Sequence, residues 1–103
     1  MTAGLGRFAS PAVLILTSLA DGDKHGYALM QDIRELAGVS LGPGTLYAAI
    51  ARLESRGLVE PLGLQDRRRP YRLTPAGADA LREYLAHAHA VSGRGLTRLA
   101  RFA

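Results

Sequence analysis

Three arginines stand side by side at Arg67, Arg68 and Arg69. Guanidinium groups fork onto phosphate oxygens, and a run of three in one short stretch is suited to gripping a polyanion. A second group lies upstream. Gly44, Thr45, Tyr47 and Ala48 are small or uncharged, and Arg52 follows them. They open a segment that reads as a helix, whose N-terminus itself favours a phosphate. A purely solvated face would carry Glu and Lys instead, so this surface suits close approach to a grooved partner. Arg72 adds a further cation just past the arginine run. The candidate DNA-binding set is therefore Gly44, Thr45, Tyr47, Ala48, Arg52, Arg67, Arg68, Arg69 and Arg72.

Catalytic chemistry finds no comparable set. Gly4-Leu5-Gly6-Arg7-Phe8-Ala9 fits a dinucleotide-binding spacing in form, but no strand precedes it. Gly44-Thr45 lacks the lysine of a phosphate-binding loop. His87 and His89 are two apart, so on a helix they point roughly 200° from one another, which is poor for one metal. The chain has no Cys and three His. This excludes a disulfide framework, a thiolate zinc site and a Cys nucleophile. No Ser-His-Asp set has a local framework. The expectation is a protein that is not an enzyme and carries no cofactor and no metal.

Charge divides unevenly along the 103 residues. Residues 1–51 carry a net −1 and residues 52–103 a net +5, and twelve of the thirteen cations are Arg. A basic half in a chain of pI about 10.1 suggests an anionic partner, most commonly nucleic acid. Hydrophobic residues make up 48% and charged residues 21%, as in an ordinary globular domain rather than a disordered one. Arg7 followed by Ala12–Leu16 imitates a secretory leader. Thr17 and Ser18 interrupt that run, it is too short to span a bilayer, and its removal would delete a core helix. The chain reads as cytoplasmic, with no membrane partner.

Punctuation along the chain places the elements. Ser10-Pro11 starts a helix as N-cap plus first-turn proline, and Asp21-Gly22 stops it. It is apolar most of the way round, so it is central. A second helix runs from about His25 to Leu36, with Leu29, Ile33 and Leu36 on one face, Met30 beside them and Gly38 closing it. A third runs from about Pro43 to Arg56, with Leu46, Ile50 and Leu53 as the inward stripe. Leu58-Val59-Glu60 and Tyr71-Arg72-Leu73 read as strands of a two-stranded hairpin with an arginine-rich tip. Thr74-Pro75 starts a fourth helix to about Val91. Ser92-Gly93-Arg94-Gly95 is expected to break it, leaving Leu96, Leu99 and Phe102 in a last short helix. The fold class is mainly α with a small β-hairpin: a winged helix-turn-helix plus a C-terminal dimerisation helix. Residues 1–9 form an N-terminal arm, 10–73 the DNA-binding unit and 74–103 the dimerisation region. In that order of elements the third helix enters the major groove, the second braces it, and the wing reaches along the duplex.

His25-Gly26-Tyr27, Pro43-Gly44-Thr45-Leu46-Tyr47, Arg52-Leu53-Glu54 with Gly57-Leu58-Val59, and Tyr71-Arg72-Leu73-Thr74 with Ala76-Gly77 occur in that order. Together they resemble the PadR-like transcriptional regulators, over about residues 12 to 85. The resemblance implies a homodimeric bacterial repressor that binds double-stranded DNA and is released by a small, commonly aromatic, effector. The wing here reads Arg67-Arg68-Arg69-Pro70, where many relatives have a Gly-Arg-Pro-Arg-Lys-like tip. The absence of Trp speaks against planar drugs stacked at a dimer centre.

Two readings compete at several positions. Tyr47 either touches DNA or supports the wing; DNA contact is preferred. Thr45 bonds a phosphate, caps its helix, or does both. Arg52 faces DNA or pairs with a surface acid. His25 and Tyr27 read as structural, with Gly26 permitting close packing. Leu81, Tyr84 and Leu85 are either core or dimer surface; dimer surface is preferred, with Ala88, Leu96, Leu99 and Phe102, because a domain this small cannot cover so apolar a helix alone. The alternative function is a winged-helix protein-interaction module without a DNA operator. It would favour acidic residues on the outer face of the third helix, and there are none near its start.

Overall fold

The protein was analysed as a computed structural model that describes residues 10–102. The expected N-terminal arm, with its dinucleotide-like Gly4–Ala9 segment, lies outside the described residues. The first helix, α1, spans Pro11–Leu19. Ser10 starts it: its Oγ accepts from the Ala12 N–H at 3.2 Å, a cap worth about 1 kcal/mol. Leu14, Ile15, Leu16, Ser18 and Leu19 are all buried. The helix is central, as its all-round apolarity implied. Its one buried hydroxyl is satisfied, since Ser18 Oγ donates to Asp32 at 2.5 Å. The Lys24 ammonium closes the same knot by donating to the Ser18 carbonyl and to Asp21. The bond from Lys24 and its charge hold the Asp21 carboxyl below the usual carboxylate range.

Lys24–His25 forms β1 and Gly26–Ala37 forms α2. Gly38 ends α2 in the left-handed region at φ 67°, where a glycine carries no steric penalty. Leu29 and Ile33 are fully buried, but Leu36 is 47% exposed. The expected inward placing of Leu36 is therefore corrected. The helix ends one residue later, and the half-buried Ala37 packs on the core in its place. Pro43–Ser55 forms α3, with Leu46, Ala49, Ile50 and Leu53 inward. The expected stripe holds and gains Ala49.

Val59–Pro61 is β2 and Pro70–Leu73 is β3. They pair antiparallel, Glu60 opposite Arg72. The sheet has three strands rather than the expected two, in the order β1-β3-β2. β1 adds Lys24 opposite Tyr71 and His25 opposite Pro70. Two residues are too short for any alternation to register in sequence. Their pairing matters because it fixes the start of α2 against the root of the wing.

The last helix, α4, spans Pro75–Leu99 without interruption. Thr74 caps it, accepting from the Gly77 N–H at 3.0 Å and donating to the Gly57 carbonyl at 2.6 Å. Gly77 lies so close to the Leu58 carbonyl that a Cβ there would collide with it. The expected break at Ser92–Gly95 and the separate short helix after it are both corrected. Each helical glycine costs only about 1 kcal/mol relative to Ala, and no proline follows to enforce a stop. The apolar stripe also keeps step through the glycines, as a continuous helix requires.

Candidate nucleic-acid interface

The third helix presents its start to solvent. Gly44, Thr45, Tyr47, Ala48 and Arg52 are all exposed. Gly42 supplies the N-cap and has no side chain to satisfy the first-turn N–H groups. Thr45 therefore does not cap the helix. The free amides and the helix dipole favour an anion at this end.

The wing turns at Asp66 and Arg67, whose φ angles are 48° and 65°. Gln65 and Arg68 exchange both backbone hydrogen bonds around them, at 2.7 and 2.8 Å. Positive φ at both central residues is the two-residue turn whose twist matches a hairpin, and Asn-Gly or Asp-Gly is its usual sequence. An arginine in the second place is strained, typically by about 1 kcal/mol or more.

The arginines nominated from sequence have different occupations. Arg67 makes no hydrogen bond or ion pair among the described residues and projects from the strained tip. Arg68 Nη1 lies 3.2 Å from His25 Nε2. Arg69 donates to the Leu62 carbonyl at 2.6 Å and braces the wing across its own root. Arg72 is drawn away from the group, 3.7 Å from Asp23 and 3.5 Å from Glu60. Both pairs are half-exposed, so each contributes little to stability, but together they keep Arg72 over the sheet. Arg52 is exposed on the last turn of α3 and forms no ion pair among the described residues.

Between the wing, the start of α2 and α3 lies a cleft of about 390 Å³. Its walls are His25, Gly26, Tyr27, Tyr47, Arg67, Arg68, Arg69 and Tyr71. The wing arginines and the α3 tyrosine therefore share one cleft. The Tyr47 hydroxyl rests over Gly26, where a Cβ would strike it. Tyr47 is nonetheless 47% exposed, so it supports the wing side of the cleft and still faces solvent. Tyr71 forms the buried floor. Burial pushes its phenol pKa up, Tyr47 and Glu54 add to that, and Arg69 opposes it. Sequence reasoning set His25 aside as structural and did not place Tyr71 here. The missing signal was β1, which brings His25 beside Tyr71 and the wing.

The nominated dimer residues fall into two groups. Leu81 is buried at 6% exposure, so it belongs to the protomer core, a correction to its placing on an open surface. Tyr84, Leu85, Leu96, Leu99 and Phe102 are exposed, and Ala88 is half-buried. At about 100° per residue, Leu85, Ala88, Ser92, Leu96 and Leu99 line one stripe, with Tyr84 along its edge, and Phe102 follows the helix end. Arg94, Arg98 and Arg101 lie on the other side, where they line a groove with His89. Among the described residues no helix is long and apolar enough to cross a membrane.

Known proteins place this arrangement. The model of the transcriptional regulator PadR-like family matches residues 15–83, most of the chain. Transcriptional regulator Rv3488 of Mycobacterium tuberculosis is 44% identical over 72 residues, which is 67% of this chain and 66% of that protein. Transcriptional activator GvpE of Haloferax mediterranei is 38% identical over 66 residues, 64% of this chain and 33% of that protein. This chain spans from 24% to 66% of the length of such curated relatives. The crystal structure of a PadR family transcription regulator from Clostridium difficile R20291 superposes with a TM-score of 0.80 at 26% identity, covering 88% of this chain and 99% of that one. With its winged-helix order, arginine-tipped hairpin and trailing helix, this chain belongs to the PadR-like family of transcriptional regulators.

Proposed function

We propose that the protein is a sequence-specific DNA-binding regulator that works as a homodimer on a palindromic operator. The observation that carries this reading is the shared cleft, which Tyr47 of α3 and Arg67–Arg69 of the wing line together. In this reading α3 enters the major groove through Thr45, Tyr47 and Ala48, with Arg52 on its flank. The wing grips phosphates, which supplies much of the affinity and little sequence choice. Residues 74–103 pair two copies through the exposed stripe of α4, and two α3 helices then address half-sites about 34 Å apart.

Occlusion of a promoter by such a dimer represses, and a small aromatic effector is its natural release signal. A chain of this kind works in the cytoplasm, where its DNA is. The decisive test replaces Arg67, Arg68 and Arg69 together with Ala. Affinity is expected to fall for all sequences, and the slope of log affinity against log salt to flatten by roughly 0.9 for each phosphate no longer neutralised. An unchanged slope refutes the wing's role. Tyr47→Ala is expected to reduce operator preference more than non-specific binding. A reporter fused to the operator separates repression from activation.

A further inference from the structure

His25 serves two donors. Its Nδ1 accepts from the Ala28 N–H at 3.3 Å and so caps α2. Its Nε2 stands 3.2 Å from Arg68 Nη1 of the wing. A neutral imidazole offers only one acceptor nitrogen. The Ala28 amide and the Arg68 guanidinium therefore compete for one lone pair, and one of them is always poorly served. The amide is partly buried at a helix start, where losing its partner is costly. The guanidinium is exposed and loses little by leaving. Backbone pairing sets His25 opposite Pro70 beneath the wing. A phosphate oxygen is a far better acceptor for a guanidinium than this imidazole, since both partners are charged.

We propose that the cleft is a DNA-phosphate site in which Arg68 rests against His25 without a secure bond, passes to a backbone phosphate, and passes more readily once the ring is protonated. This rests on the DNA-binding reading above. A protonated ring has no acceptor left for Arg68 or for the Ala28 amide, which then turns to water, and it repels Arg68 and adds a charge of its own to the cleft. The other groups facing His25 set the balance. Arg67 and Arg69 bring positive charge to the cleft and Asp66 negative charge, all from the wing. Tyr27, Tyr47 and Tyr71 close the remaining sides from α2, α3 and β3 and carry no charge near neutrality. Lys24, its neighbour in β1, is occupied with Ser18 and Asp21.

The test measures affinity for a random-sequence duplex over a salt series at about pH 8 and about pH 5.5, which bracket ordinary imidazole titration. The wild-type chain is expected to bind several-fold more tightly at the lower pH, with a salt slope steeper by roughly 0.9. His25→Asn keeps a strong capping residue for α2 but no titrating ring, and is expected to lose that change. His87 and His89 are present in every variant, so their contribution cancels. Arg68→Ala is expected to cost more affinity at the lower pH than at the higher. A wild-type pH response retained in His25→Asn, or an Arg68→Ala penalty equal at both pH values, overturns the proposal. Duplex binding by the wild type with a flat pH profile overturns it too, and leaves DNA binding standing. No duplex binding at either pH removes both.

Discussion

At the scale of the residue, the four arginines of the wing and β3 are not equivalent. Arg69 and Arg72 are spent on the wing's own frame, against the Leu62 carbonyl and against Asp23 and Glu60. Arg68 leans on His25, and Arg67 projects from the tip at φ 65°. Arg67 thus combines exposure with backbone strain, a pairing typical of functional positions. Arg67→Gly removes the strain and the charge together. Its expected signature is opposite in two measurements: chemical denaturation reports a gain of about 1 kcal/mol, while duplex affinity falls and the salt slope flattens. A variant that loses stability would mean that the guanidinium holds the tip in place. Tyr47 adds a second lesson. Its hydroxyl rests where Gly26 leaves room, so the glycine of the His-Gly-Tyr motif is required by a side chain twenty-one positions away.

At the scale of the element, α4 departs most from expectation. Ser92 to Gly95 reads as punctuation, yet the helix runs through it. Gly93 has open space around it, so Gly93→Ala meets nothing. It is expected to stabilise the protein by about 0.5–1 kcal/mol, seen as a raised Tm with unchanged DNA affinity. A fall in Tm would show that the helix is interrupted there in solution. Much of the remaining architecture was legible. Ser10-Pro11 and Thr74-Pro75 name their helix starts because a hydroxyl cap and a fixed φ are local properties. The Leu46, Ile50, Leu53 stripe names the inner face of α3 by period alone. What stayed hidden is non-local. β1 is only two residues long and exists because β3 lies beside it. Leu36 faces solvent because the chain turns at Gly38, and the periodic pattern does not carry that information. The tyrosine-lined cleft needs β1, α2, α3 and the wing at once, so no stretch of sequence announces it.

At the scale of the whole molecule, the described residues measure 57 × 28 × 20 Å, elongated because α4 outruns the domain that roots it. Its last turns expose Leu96 and Leu99 at 67 and 66%, and Phe102 just past its end is exposed at 82%. A second copy is the proposed cover for that stripe. Leu99→Asp places a charge in it and is expected to give monomers by sedimentation. Operator affinity should then fall by at least an order of magnitude, while the circular dichroism of the winged-helix unit is retained. A dimer that survives the change excludes this stripe as the seam. The uninterrupted course of α4 has one more consequence. A rod of 25 residues is about 37 Å long, and a tilt of about 5° where Gly77 meets the Leu58 carbonyl swings its far end by about 3 Å. With no joint along its length to absorb such an error, the crowded heel of this lever governs how far apart two reading heads are carried, and small packing changes there would retune which spacing of half-sites the pair can straddle.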